Sequence, residues 1–439
     1  MQSAAVVAAV RAAVRAGGGW LSFADYMRLV LYAPGLGYYS AGSAKFGRDG
    51  DFITAPELSP LFGRALARQC ARLLAQMASG TPDAVSLPPA AGPSAAGAQR
   101  AAGSAASPDA APIAGPGAAD ARRGAGSGTL LDAGVGAATV PLDLLEFGAG
   151  TGRLAEVLLT TLAEQGVLPR RYLILEVSAD LRARQQARLA QLPAPLRERV
   201  QWLSAWPEAP IEGLVIANEV ADAVPFERFV KRDGGFDLRG VALATNGSLV
   251  QADRAAPAAM QTQLRDLEAQ LPEPLADGYV SEICPLLDGW MAGLAAVLGR
   301  GALLLFDYGL SRAHYYHPQR DSGTLRCHFR HRAHDDALLY PGVQDITAWV
   351  DFTRLAEAAV DHGLEVENYC TQAAFLLANG IEADVAAAAD EVTRVRLASE
   401  ARQLLLPGEM GEIFKFMALG RDAPALAEVS RVQDLRRLL

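Results

Sequence analysis

The run Glu146-Phe147-Gly148-Ala149-Gly150-Thr151-Gly152 has the residue types for a ligand-binding turn. It follows a short apolar run, 142–147, and precedes a run of helical spacing, 153–165. Glycine is needed where backbone must turn tightly and let a ligand come close. At the end of a parallel strand, such a turn is where an open α/β sheet binds ligands. A dinucleotide fingerprint, Gly-x-Gly-x-x-Gly, would put its third glycine at position 153, which is Arg153. The spacing here is Gly-x-Gly-x-Gly, through Gly148, Gly150 and Gly152, and this disfavours a nicotinamide-dependent oxidoreductase. The next apolar run, 172–177, carries Glu176. A carboxylate at the tip of the second strand can accept hydrogen bonds from both hydroxyls of a ribose. A plain strand–helix turn and a surface glutamate are the simpler account of each feature alone. Here both occur, in order, on consecutive strands.

A second run, Asn218-Glu219-Val220-Ala221-Asp222, follows the apolar segment 214–218. Glu219 and Asp222 are three apart, so a helical turn puts both carboxylates on one face. Such a pair can orient a cationic substrate; acids at a helix N-terminus are also favoured by its dipole alone. Five of the six histidines lie between His314 and His334. Their three-residue spacing would suit a metal, but Arg326, Arg330 and Arg332 interleave with them and would repel a cation. No metal is assigned.

These residues need a scaffold. The 439 residues are 51 % hydrophobic and 20 % charged, ample for a large core. The net charge of −9 excludes a general nucleic-acid-coating role. Cys70, Cys284, Cys327 and Cys370 form no C-x-x-C pair, which suits a reducing compartment. No apolar run approaches a membrane span. The first residues, 1–19, are rich in Ala and Val with Arg11 and Arg15 and read as an amphipathic helix, a transit peptide being the alternative. From 79 to 138 roughly three quarters of the residues are Ala, Gly, Pro or Ser, and this reads as a flexible insertion. Before it, helices are expected over 23–30, capped by Ser22, and over 57–77. After it, strands at 142–147, 172–177, 214–218, 302–307, 365–371 and 413–419 alternate with helices at 153–165, 179–190, 286–298 and 385–405. Repeated βα units mean a parallel sheet covered on both faces. Asp233-Gly234-Gly235 and Asn246-Gly247 are hairpin signals inside this pattern.

The ordered blocks LYAPGLGYYS (31–40), KFGRDGDFITAPELSPLFG (45–63), LEFGAGTGRLA (145–155), IANEVADAVPFERF (216–229), LLLFDYG (303–309), SGTLRCHFRHRAHDD (322–336) and PGVQDITAWVDFT (341–353) resemble the MidA-like family of class I S-adenosylmethionine-dependent methyltransferases. That family includes the arginine methyltransferase of mitochondrial complex I assembly. The chain departs from the family at Val220, Ala221, Cys284 and Trp349, residues that bear on pocket shape and substrate preference.

The resemblance implies a Rossmann-like seven-stranded α/β fold. An N-terminal helical and loop segment (1–78) would contribute to the active site. The flexible insertion (79–138), a first core part (139–226), an inserted β-hairpin and helical subdomain (227–285) and a second core part with substrate-side loops (286–439) follow. It implies S-adenosyl-L-methionine as cofactor and protein arginine Nω-methylation linked to respiratory complex assembly. Methylation of another protein group or a small molecule, or assembly by cofactor binding with little catalysis, are the alternatives. Glu219 and Asp222 would orient the acceptor and take its proton. Glu146, Gly148, Gly150, Gly152, Glu176, Asn218, Asp51 and Thr54 would bind cofactor. Asp307, His331, Asp345 and Asp351 would lie on the substrate side, and Gly-Tyr-Tyr at 37–39 could add an aromatic wall. The partner would be a protein substrate, with neither nucleic acid nor membrane insertion. A bacterial-type cytoplasm is the expected location, or the mitochondrial matrix if the N-terminus is a transit peptide.

Overall fold

The computed structural model describes residues 2–40, 54–80 and 138–439. The readings for Asp51, for the loop around it and for the insertion over 81–137 lie outside these residues.

Seven strands form the central sheet: β1 (Ala138–Phe147), β2 (Val167–Leu175), β3 (Val200–Leu203), β4 (Ile211–Asn218), β5 (Leu298–Leu310), β6 (Glu365–Thr371) and β7 (Phe414–Arg421). Their order is β6-β7-β5-β4-β1-β2-β3. The first five run parallel. Only β7 is antiparallel, to β5 and β6, so the last two strands close the edge as a hairpin-like pair. A two-residue strand, Val350–Asp351, adds to the end of β5. This is the class I methyltransferase arrangement. The order reverses between β1 and β4, and the crevice outside the carboxyl ends of those strands is where such sheets bind ligands.

The expected strands agree with the observed ones within a few residues, because fully buried parallel strands read as unbroken apolar runs. The exception is β3, whose four residues, Val-Gln-Trp-Leu, are too short and mixed to stand out. The expected helix over 57–77 breaks at Ser59: α1 (Ala55–Leu58) is one turn, and α2 (Pro60–Ser79) starts anew with Ser59 as N-cap and Pro60 at its first position. The helix begun at Phe23 is capped by Ser22, whose hydroxyl accepts the Asp25 N–H, but it passes into a π-helical turn at Arg28–Tyr32.

Helices cover both faces. On one, α2 and α3 (Arg153–Glu164) bury Phe62, Leu66, Leu154 and Leu158 against Leu144, Ile174 and Phe306. On the other, helices Leu287–Val297 and Phe352–Asp361 bury Met291, Leu294, Phe352 and Leu355 against Leu145, Val215 and Leu305. The N-terminal helix Gln2–Ala16 is amphipathic: Val6, Val10 and Val14 lie one turn apart and are all buried against Phe23, Tyr26 and Val30.

Between β4 and β5 the chain makes a second sheet of Glu227–Arg232, Gly235–Leu243, Leu249–Ala255 and Val280–Ile283, joined by Trp20–Leu21. Asp233 (φ 47°) and Gly234 (φ 75°) form its first hairpin turn, with Arg232 opposite Gly235. Beyond β5, Arg326–Phe329, Arg332–His334 and Asp345–Thr347 form a three-stranded sheet that the sequence pattern did not announce. Among the described residues no helix is long and apolar enough to cross a membrane.

Candidate active site

A cavity of about 700 Å³ opens at the carboxyl ends of β1 and β4. The glycine loop forms its floor. Gly148 has φ 62° and Gly150 has φ 52°, conformations that side chains resist. A Cβ on Gly148 would sit 3.3 Å from Val220, inside the crevice. Gly152 does not line the cavity. Its φ is 80°, and a Cβ there would lie 3.3 Å from the Gln185 backbone, so it serves close packing of the helix Ala179–Leu189.

Glu176 lines the cavity at the tip of β2 and is buried. Its Oε1 accepts the Ser178 N–H at 2.8 Å and its Oε2 accepts the Gln185 amide at 3.0 Å, which fixes the carboxylate. Glu146 lies deeper, accepting the Tyr172 hydroxyl at 2.6 Å. Burial pushes its carboxyl up to about 7, against the pull of that hydrogen bond. Thr54, at the start of the turn Ala55–Leu58, also lines the cavity, and Thr151 of the glycine loop donates to Glu57 of that turn.

The second acidic group stands opposite. Glu219 is held at φ 54°, with its N–H bonded to the Phe306 carbonyl at 2.8 Å; the following 3₁₀ turn, Ala221–Ala223, starts only two residues later. The expected helical turn through both acids is therefore absent, because left-handed backbone at Glu219 interrupts it. Both carboxylates still border the cavity. The Asn218 amide donates to Glu219 Oε1 at 3.1 Å. The Tyr308 hydroxyl donates to Asp222 Oδ2, and among the described residues Asp222 Oδ1 has no hydrogen-bond partner.

Electrostatics follow from this crowding. Removal from bulk water is the main cause that pushes Glu219 up to about 8, with the Asp222 charge next; the cavity leaves Glu219 partly accessible, but protein surrounds it. Burial likewise pushes Asp222 up to about 6. Asp307 is raised by burial and then by both neighbours. Among the described residues no cation pairs with these three carboxyl groups, and such a cluster is suited to hold one.

The remaining substrate-side readings divide. Asp345 lines the cavity and accepts the Tyr39 hydroxyl at 2.8 Å. Asp307 does not line it. It lies behind the loop, its Oδ2 accepting the Ala221 and Asp222 N–H groups. His331 is exposed in the turn between two strands, with φ 60°, and does not reach the cavity. Arg326 and His328 do, because strand side chains alternate and these two share the inner face. Asp351 borders a neighbouring cavity, where its Oδ1 caps the helix Phe352–Asp361 through the Arg354 N–H. Of the Tyr pair, Tyr38 is core and Tyr39 is cavity wall, stacked on Tyr32 at 5.4 Å.

Tyr32, Tyr308 and His328 were not singled out from sequence as site residues. Tyr308 adjoins Asp307 at the end of β5, and that position was the available signal.

The family model for S-adenosyl-L-methionine-dependent methyltransferases matches residues 124–370. The protein arginine methyltransferase NDUFAF7, mitochondrial, of Mus musculus is 27 % identical over 432 residues, covering 91 % of this chain and 81 % of its own length. The Homo sapiens counterpart is 25 % identical over 433 residues, covering 91 % and 80 %. A crystal structure of a Burkholderia thailandensis protein bound to S-adenosyl-homocysteine is 37 % identical, covers 100 % of this chain and 97 % of that one, and superposes with a TM-score of 0.81.

Proposed function

The chain belongs to the S-adenosyl-L-methionine-dependent methyltransferase family, and from that premise we propose that it methylates a protein on an arginine Nω atom, in work linked to respiratory complex assembly. The cofactor is S-adenosyl-L-methionine, which supplies a methyl carbon made electrophilic by its sulfonium. The residues present fit it: side-chain-free backbone at Gly148 and Gly150 clears the crevice, and the fixed Glu176 carboxylate offers acceptors to a ribose.

The observation that carries the arginine reading is the group of carboxyl groups, Glu219 and Asp222 backed by Asp307, across from the glycine loop. A guanidinium stays charged at any physiological pH. Removed from water, it needs opposing charge and acceptors in a fixed geometry. Glu219 and Asp222 supply both, and Asn218 and Tyr308 orient them. The acceptor nitrogen loses one proton on each transfer, and an ionised Asp222 or Glu219 takes it. The mouse and human relatives are named protein arginine methyltransferases, which supports the same acceptor. The four cysteines are free thiols, which suits the reducing interior of a bacterial cytoplasm or a mitochondrial matrix.

Labelled methyl transfer to co-purified partner proteins, followed by intact-mass and fragment analysis, tests the proposal. Label on arginine supports it. Label on another residue or on a small molecule, or cofactor binding with no transfer, overturns it.

A further inference from the structure

Asp222 and Trp349 form a wall shared by two cavities. Behind it lies the second cavity, of about 350 Å³. Its rim includes Ala259, Thr262 and Asp266, all exposed on the helix Ala258–Ala269. Phe226, Leu287 and Tyr316 line its sides.

Most charges in this cavity are already matched. Glu282 accepts the Thr324 N–H at 2.8 Å and faces Arg228 at 3.8 Å. Asp351 and Glu357 both pair with Arg312, and Arg354 pairs with Asp288 and Glu357. Among the described residues two lining carboxylates have no cationic partner, Asp266 at the rim and Asp222 at the far wall. Asp222 is only 6 % exposed, and among the described residues its Oδ1 has no hydrogen-bond partner.

We propose that the acceptor arginine, presented by an extended protein segment, enters through this second cavity and reaches Asp222 across the wall from the glycine loop. The proposal rests on the methyltransferase reading of the first cavity. In-line displacement requires the nucleophile to approach opposite the leaving sulfur. Entry by a separate door meets that requirement without threading the acceptor past the cofactor. The lining fits the side chain: acids at the rim and the far wall, with apolar and aromatic sides for a long aliphatic stem and a planar cation. Trp349 already carries one guanidinium, with Arg320 Cζ 5.1 Å from its ring centroid.

The test uses the full chain labelled with 5-fluorotryptophan and saturated with S-adenosylhomocysteine. Trp349 is one of five tryptophans, and its resonance is assigned with Trp349→Phe. N-acetyl-arginine amide is titrated as probe, with the neutral N-acetyl-citrulline amide as control. The expected result is a shift of the Trp349 signal by the arginine probe alone. Asp266→Lys and Thr262→Phe should each weaken that binding by roughly tenfold or more. Calorimetry should show S-adenosylhomocysteine affinity unchanged in both variants, which also shows that they fold. Absence of probe binding, a silent Trp349 signal, equal binding of the citrulline control, or full affinity in both variants overturns the proposal. Failure of the cofactor reading is a different signal: no heat from S-adenosylhomocysteine with the unaltered protein.

Discussion

Asp307 positions Asp222 through the backbone: its Oδ2 accepts the Asp222 N–H at 3.2 Å and the Ala221 N–H at 2.9 Å, while its Oδ1 accepts the Tyr308 N–H at 2.9 Å. One side chain on β5 thus fixes the loop after β4 and leaves the Asp222 carboxylate to Tyr308 and to a ligand. Asp307→Ala would strand three N–H groups. We expect a loss of about 2–3 kcal/mol in urea unfolding. Methyl transfer should fall much further than S-adenosylhomocysteine affinity, because the cofactor side of the cavity stays in place. Equal losses of both would show that Asp307 supports the fold or the cofactor and not the acceptor side.

Glu219→Gln and Asp222→Asn keep shape and remove charge. If these acids hold the acceptor and take its proton, transfer falls by roughly a hundredfold or more in each. Calorimetric affinity for S-adenosylhomocysteine should change little. Unchanged turnover with intact cofactor binding removes them from the mechanism.

What could be read from sequence and what could not has a physical division. The sheet was legible, as was the place of Gly148, Gly150 and Glu176 at its crevice, because buried parallel strands and tight turns at their ends leave local patterns. Glu219 and Asp222 were legible as a pair by their spacing, but not their backbone. The left-handed Glu219 depends on its N–H bond to Phe306, a contact between distant parts of the chain. His331 and His328 were interchanged for a related reason. The three-stranded sheet at 326–347 pairs short, polar segments, so its inner face became visible only once the pairing was known. Asp307 was read as substrate-side, whereas it lines neither cavity and its carboxylate holds N–H groups of the loop after β4; Asp351 borders the second cavity while capping a helix.

The glycine loop can be tested apart from the chemistry. Among the described residues a Cβ on Gly150 meets no heavy atom within 4 Å, so Gly150→Ala creates no clash with them. Its cost to folding is the left-handed backbone alone, about 1–2 kcal/mol. If the cofactor lies along this loop, the added methyl intrudes on it, and S-adenosylhomocysteine affinity should drop by roughly tenfold or more. A variant that melts slightly earlier yet binds as tightly as the parent would place the cofactor elsewhere.

The acidic cluster also sets a pH dependence. Glu219 has an ordinary value of 4.5 and stands at about 8 in the fold, and Asp222 moves from 3.8 to about 6. Below the ordinary carboxylate range, native and unfolded chains both hold these protons. As pH rises, the unfolded chain releases them first while the native chain retains them, so native stability falls across the window and levels off above about 8. Urea midpoints should therefore decline from mildly acidic to mildly alkaline buffer, and Glu219→Gln should flatten that decline, since an amide has no proton to lose. A bound guanidinium reverses the bias, because its charge favours the ionised carboxylates. Binding of an arginine probe near neutral pH must then release protons, and its calorimetric heat must differ between phosphate and Tris by the difference in their ionisation enthalpies times the number of protons released. Heats that are the same in both buffers, or a proton uptake, would show that the cation does not meet this cluster.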